Sequence, residues 1–242
     1  MAEFAEAAVK ARMSHYGFSP HSPINVPSTC NMSSAAVYEY IAEVERLREL
    51  HADAPTKFLV SMEIDYIGQE WGPAIDYFQE LPLDYRIGSV HFIPDLHGGM
   101  CDIDGSPLNF ARNLHEVFDD NLRYVVDKFY EQSMAMVEAG GFDIIGHLDK
   151  IGYNASTIDP EIEFQPWYQD HVEALINAVA SKGLTAEINT KAYSKTGRFY
   201  PHQRHFKKLR DAGISVVVNS DAHYTELIEA SRREAFEMFA GV

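Results

Sequence analysis

The stretch Val216-Val217-Val218-Asn219-Ser220-Asp221-Ala222-His223 decides how the chain is read. Three consecutive β-branched residues predict a short buried strand, and polar residues follow at once. In α/β folds the C-terminal ends of parallel strands carry the chemistry, because the loops there share one mouth. Asp221 and His223 stand two positions apart, so on an extended backbone both side chains project to the same side. A carboxylate beside an imidazole suits a divalent metal. Read alone, the pair serves equally well as a cap for the helix expected over 225–239.

Outward from this stretch, strands and helices alternate. Helical spacing is expected over 1–13, 33–50, 110–139, 167–181 and 202–212, with Gly183 a C-terminal stop for the fourth. Short strands are expected over 16–21, 57–66, 85–93, 142–149 and 185–189, before the opening one. Residues 24–32 form a polar, proline-containing loop of the kind that overhangs a site. No Gly/Ser linker, composition break or repeat interrupts the alternation, so one domain over 1–242 is expected. Six strands each followed by a helix favour a parallel, barrel-like sheet.

Composition narrows the function classes. The net charge is −16, which argues against nucleic acid as a partner. An acidic protein that handles a phosphorylated substrate needs cations at its site, so the charge itself hints at metal. The two cysteines, Cys30 and Cys101, are far apart and indicate neither a disulfide framework nor a zinc ribbon. With no membrane-length apolar run and no signal peptide, no membrane partner and a cytoplasmic setting are expected. The sequence fixes no oligomeric state.

Five strand ends carry metal-ligand chemistry: His21, Glu63, His91, His147 with Asp149, and Asp221 with His223. Any one of these has an ordinary reading as a hydrogen-bonded core residue. Together, on strand ends that a barrel gathers at one mouth, they point to a metal cluster. A mixed His/Asp/Glu set suits zinc, iron or manganese. The remaining histidines, among them His171, His202 and His205, fall in helices or loops and are taken mostly as surface residues.

The pieces Ser19-Pro20-His21, Met62-Glu63-Ile64-Asp65, Gly88-Ser89-Val90-His91, Gly146-His147-Leu148-Asp149, Glu187-Ile188-Asn189-Thr190 and Asn219-Ser220-Asp221-Ala222-His223 together resemble the PHP (polymerase and histidinol phosphatase) superfamily. Within it the chain is similar to the stand-alone histidinol-phosphatases of histidine biosynthesis. The resemblance implies a distorted (βα)7 TIM-like barrel with up to three divalent metal ions. Carried over, Glu63 bridges two metals with Asp221 helping the first, His91 and His147 hold the second, and His21 and His223 serve the third. It also implies an opening strand with a His-x-His pair and then an aspartate, and the sequence has neither. The expectation is a stretch missing ahead of Met1, six of seven strands present, and a barrel open between the strands leading to His21 and His223. The inner metal, on Glu63, His91 and His147, is then expected to be the best held.

The implied reaction is hydrolysis of a small phosphorylated substrate, L-histidinol phosphate, by a metal-bound hydroxide without a covalent enzyme intermediate. Asp221 and His223 are the catalytic candidates, with His223 or a water near it protonating the leaving alkoxide. Lys150, Lys191, Lys195 and Arg198 lie on strand-end loops as candidate phosphate ligands, each also readable as ordinary solvated charge. Asn189 is placed to orient a ligand or to cap a helix. Asp102 and Asp104 are read as meeting a cationic part of the substrate or, more simply, as a solvated loop. Two competing readings are a PHP phosphoesterase acting on nucleotides or another small phosphate, and a barrel that binds without catalysis.

Overall fold

The structure, a computed structural model, describes residues 1–242. Eight strands form: β1 (His15–Phe18), β2 (Lys57–Asp65), β3 (Tyr85–Ser89), β4 (Phe92–Pro94), β5 (Met100–Asp102), β6 (Ile144–Ile145), β7 (Thr185–Asn189) and β8 (Val216–Asn219). Ten helices accompany them: α1 (Ala2–Lys10), α2 (Val37–Leu50), α3 (Asp76–Gln79), α4 (Pro107–Phe118), α5 (Leu122–Ala139), α6 (Ile151–Ile158), α7 (Pro166–Ser181), α8 (Tyr193–Thr196), α9 (Phe206–Asp211) and α10 (Arg232–Gly241).

Six strands make one parallel sheet in the order β1-β2-β3-β6-β7-β8, each beside its predecessor in the sheet. Sequential order with helical crossovers curls the sheet into a partial barrel, as the alternation predicted. β1 and β8 do not pair with each other, so the curl stays open between them. A cavity of about 420 Å³ occupies this opening, lined among others by Tyr16, Glu63, Tyr85, Glu187 and Asp221. No helix is long and apolar enough to cross a membrane.

The helices pack where their apolar spacing requires. In α2, Val37, Tyr40, Ile41, Val44 and Leu47 form one buried stripe against the β1–β2 side of the sheet. Tyr40 Oη reaches Phe18 O at 2.7 Å and Ser61 O at 2.6 Å, which locks the first two strands in place. Helices α4 to α7 cover the other side with the larger apolar cluster, in which Phe118, Phe129, Tyr130 and Tyr168 are fully buried.

Several boundaries differ from expectation, each for a local reason. The helix expected over 110–139 is two, α4 and α5. Asp119 and Asp120 adopt left-handed backbone (φ 50° and 59°), and Asn121 caps the new helix by accepting from Tyr124 N at 3.0 Å. The strand expected over 85–93 stops at Ser89; Phe92–Pro94 instead pairs antiparallel with β5. Asp95 closes that hairpin, accepting from His97 N at 2.7 Å and Gly99 N at 2.8 Å. The strand expected over 142–149 shrinks to two residues because the chain turns at once into α6, which the sequence reading did not anticipate. The helix expected over 225–239 starts as a short 3-10 turn and resumes as α10 after Ser231, whose φ is 55°.

Candidate metal centre

Glu63 sits near the end of β2, two residues before Asp65 on the same face of the strand. His91 lies in the bend between β3 and β4, and His147 in the turn that leaves β6. These bends aim both imidazoles inward: His91 and His147 are buried, at 4 % and 2 % exposure. Their Nε2 atoms stand 3.1 Å apart. Glu63 Oε1 lies 3.0 Å from His147 Nε2 and 3.5 Å from His91 Nε2. Three donor atoms therefore form a small triangle. Ligands about 2.0–2.1 Å from a tetrahedral zinc lie about 3.3 Å from one another, and this triangle has that size.

The surroundings support the triangle. His91 Nδ1 meets Asp65 Oδ1 at 2.6 Å, which fixes the ring and leaves Nε2 facing the triangle. Asp65 is itself held by Asn31, whose Nδ2 donates to Asp65 Oδ2 at 2.8 Å and to Ser22 O at 2.7 Å. Ser89 Oγ donates to Glu63 Oε1 at 2.7 Å. Gly146 makes room for this: a Cβ there would run into Ser89 Oγ. The second carboxylate oxygen, Glu63 Oε2, faces His21 Nδ1 at 3.7 Å. Glu63 thus points one oxygen at the inner triangle and the other toward His21. His21, Asp65 and His91 form a second group with donor atoms close enough to share an ion.

Electrostatics divide these groups. Burial alone would raise the Glu63 carboxyl, but the hydrogen bond from His147 and the neighbouring imidazoles hold it well below the usual range. Burial disfavours charge on His91 too, yet Asp65 outweighs it and the pKa is pushed up to about 9. His147 is lowered, by burial and by the Lys150 ammonium. Glu187 is raised to about 7 by burial and by the charges of Glu63 and Asp221. Its oxygens accept from His147 N at 2.9 Å and Asn219 Nδ2 at 3.0 Å, so it braces two site loops.

Of the residues singled out in the sequence, His21, Glu63, His91 and His147 come together. Asp221 and His223 line the cavity that His21 and Glu63 also line, but belong to neither donor group. The reason is the backbone: β8 ends at Asn219, and Asp221 is left-handed at φ 46°, so the extended geometry that would align the pair is lost. They meet through a turn instead, with His223 Nδ1 3.0 Å from Asp221 O. Asn189 Nδ2 donates to Asp221 Oδ2 at 3.2 Å. Asp149 turns away from His147, because the chain is already entering α6. It accepts from Arg198 Nη2 at 2.9 Å and His202 N at 2.8 Å.

Two of the four candidate cations are in place for other work. Arg198 is buried and also pairs with Glu163 at 2.8 Å, so its guanidinium faces the interior rather than a phosphate. Lys150 is largely buried against Asp104 at 2.9 Å, and this pairing holds its pKa up against burial. Asp104 is accordingly no freely solvated loop residue. Lys191 contacts Asp221 and His223, and Lys195 is exposed and unpaired. His205 departs from the surface reading: it is buried, and burial with Lys208 and Arg204 nearby lowers its pKa to about 3. Asp65, Ser89, Glu187 and Asn31 were not singled out as site residues. For Asp65 a signal existed, its i+2 spacing from Glu63 on one strand; for Asn31 none did, since only the folded loop brings it there.

The PHP domain model matches residues 1–191. No curated protein matches the sequence. Among solved structures, a Listeria monocytogenes protein assigned as the histidinol phosphatase HisK is 18 % identical with a TM-score of 0.82, covering 96 % of this chain and 92 % of its own. The histidinol phosphate phosphatase of Lactococcus lactis subsp. lactis, solved with zinc, L-histidinol and phosphate, is 19 % identical with a TM-score of 0.74, covering 99 % of this chain and 86 % of its own. At such identities the likeness is one of fold. With its family model matched over most of its length and its ligand-bearing strand ends gathered at one mouth, the chain belongs to the PHP domain family.

Proposed function

We propose that this chain is a metal-dependent phosphomonoesterase that hydrolyses L-histidinol phosphate to L-histidinol and phosphate. The observation that carries the reading is the triangle of Glu63 Oε1, His91 Nε2 and His147 Nε2, with sides of 3.0 to 3.5 Å and a carboxylate behind one imidazole. The substrate is suggested by the fold neighbours, one assigned as a histidinol phosphatase and the other a histidinol phosphate phosphatase solved with histidinol and phosphate.

In this reading His91, His147 and Glu63 would hold an inner ion, and His21 with Glu63 would hold an adjacent one. Such ions act as Lewis acids that lower the pKa of water and neutralise charge on a phosphoryl group. The chain's own residues do the rest. Asp65 keeps His91 in the tautomer that presents Nε2. Lys150, kept charged against burial by Asp104 with Asp221 and Glu63 nearby, offsets part of the negative charge that gathers when a phosphate enters. Asn189 fixes Asp221 at the rim, and His223 beside it serves as proton donor to the leaving alkoxide. Residues 1–242 act as one catalytic domain, since the parallel sheet runs from His15 to Asn219.

Phosphate release from L-histidinol phosphate, measured beside several nucleoside monophosphates, tests the substrate. Turnover of histidinol phosphate well above the nucleotides is expected; equal or better turnover of the nucleotides overturns the assignment.

A further inference from the structure

We infer that Asn31 is a positioning residue for the metal centre, joining its two donor groups through one side-chain nitrogen. Asn31 Nδ2 donates to Asp65 Oδ2 at 2.8 Å and to Ser22 O at 2.7 Å. Asp65 stands behind His91, meeting its Nδ1 at 2.6 Å, and Ser22 directly follows His21. With its two N–H groups Asn31 therefore holds the carboxylate that orients one imidazole and the backbone that carries another. The two rings lie edge to face, 5.0 Å between centroids.

An amide suits this work because it offers two donors and one acceptor oxygen. Both donors are used, and Oδ1 accepts from Ser28 Oγ at 2.6 Å, so the side chain is oriented one way round. Beside it Met32 N donates to His21 O at 3.2 Å, so the end of the loop grips two successive carbonyls at its start. Ser22 is buried, and its N donates to Glu63 O at 2.8 Å. Among the side chains of residues 24–32, only Asn31 hydrogen-bonds outside the loop. The Asp65 carboxylate is buried and hydrogen-bonds only His91 and Asn31. Without Asn31 its second oxygen loses its donor, and the carboxylate is free to turn away from the ring. The polar loop thus acts on the metal donors through one side chain.

The inference rests on the metal-centre reading, which Glu63→Gln tests on its own: zinc binding that survives this change overturns both. The experiment measures zinc affinity of the full chain by competition with a chromogenic chelator. The variants are Asn31→Ala, Asp65→Ala, the double variant Asn31→Ala/Asp65→Ala, and Thr29→Ala as a neighbour on the same exposed loop. Asn31→Ala is expected to weaken zinc binding about 10-fold, the low end for a partner that orients a ligand. Its effect shrinks to less than about 2-fold when Asp65 is already alanine, because the carboxylate it acts through is gone. Thr29→Ala binds zinc as wild type does. Circular dichroism and urea unfolding of the metal-free chains check the fold, and Asn31→Leu, which keeps bulk without donors, replaces the alanine variant if the loop loosens. Wild-type zinc affinity in both Asn31 variants overturns the inference, as does an equal fall in Thr29→Ala. Full multiplication of the two single effects overturns it too, since Asn31 would then act on the fold rather than through Asp65.

Discussion

Glu63 concentrates the chemistry of the site in one side chain, because its two oxygens face different ligand groups. Glu63→Gln replaces one oxygen by an amide that cannot ligate, so zinc content and turnover fall together; metal analysis and phosphate release on the same sample check this. Asp65 acts through His91. Asp65→Asn keeps the shape but weakens the hold on the ring, and zinc affinity falls about 10–100-fold in competition with a chelator. His91 also gives zinc binding a pH dependence. Its metal-free pKa of about 9 means the ring is protonated at neutral pH and the proton must leave before Nε2 can ligate. Affinity therefore rises with pH and levels off above about 9, and proton release on zinc addition, large near pH 7, shrinks toward that limit. Titrations in buffers of different ionisation enthalpy measure the released proton directly. These inner residues were legible in the sequence because each ends or follows a buried strand, where the family motifs place them. Asp221 and His223 were legible as site residues, but their geometry was not: a single left-handed residue undoes the strand alignment.

At the scale of elements, loops that tie strand ends to helices matter as much as the strands. Arg198 is the clearest case. It joins the turn after β6 through Asp149 to the turn before α7 through Glu163, and all three side chains are buried. Removing the guanidinium leaves two buried carboxylates without their shared counter-charge, Asp149 keeping only the His202 N–H and Glu163 only the more distant Arg204, and Arg198→Ala is expected to cost about 3–5 kcal/mol in chemical denaturation. Lys195→Ala, on exposed α8, changes stability by no more than about 0.5 kcal/mol in the same assay. On sequence alone the two cations looked alike, since both lie on one polar strand-end loop. Burial separates them, and burial there depends on α6, an element with too little apolar periodicity to be foreseen. The order of strands and the placement of α2 and α7 were legible, because unbroken hydrophobic spacing dictates both. The α4–α5 break and the β4–β5 hairpin depend on two aspartates in left-handed backbone and one aspartate closing a turn, which apolar periodicity does not register.

For the whole molecule, the decisive feature is a six-stranded parallel sheet that curls without closing. The opening between β1 and β8 holds the cavity, where Met1 and Phe4 of the first helical segment also contribute to the lining. Glu63 sits on β2, and His91 and His147 follow β3 and β6, inner strands of the sheet rather than its edges. Asp221 and His223 follow the edge strand β8, which has a strand partner on one side only. The architecture therefore predicts a firm inner centre and a looser rim. It also predicts that the activity is lost with the inner metal rather than with the fold. The most direct measurement is phosphate release from L-histidinol phosphate by the purified chain, before chelation, after it, and after zinc is restored. The account predicts turnover that disappears on chelation with the circular dichroism unchanged, and returns with zinc. Turnover that survives complete removal of metal would contradict it.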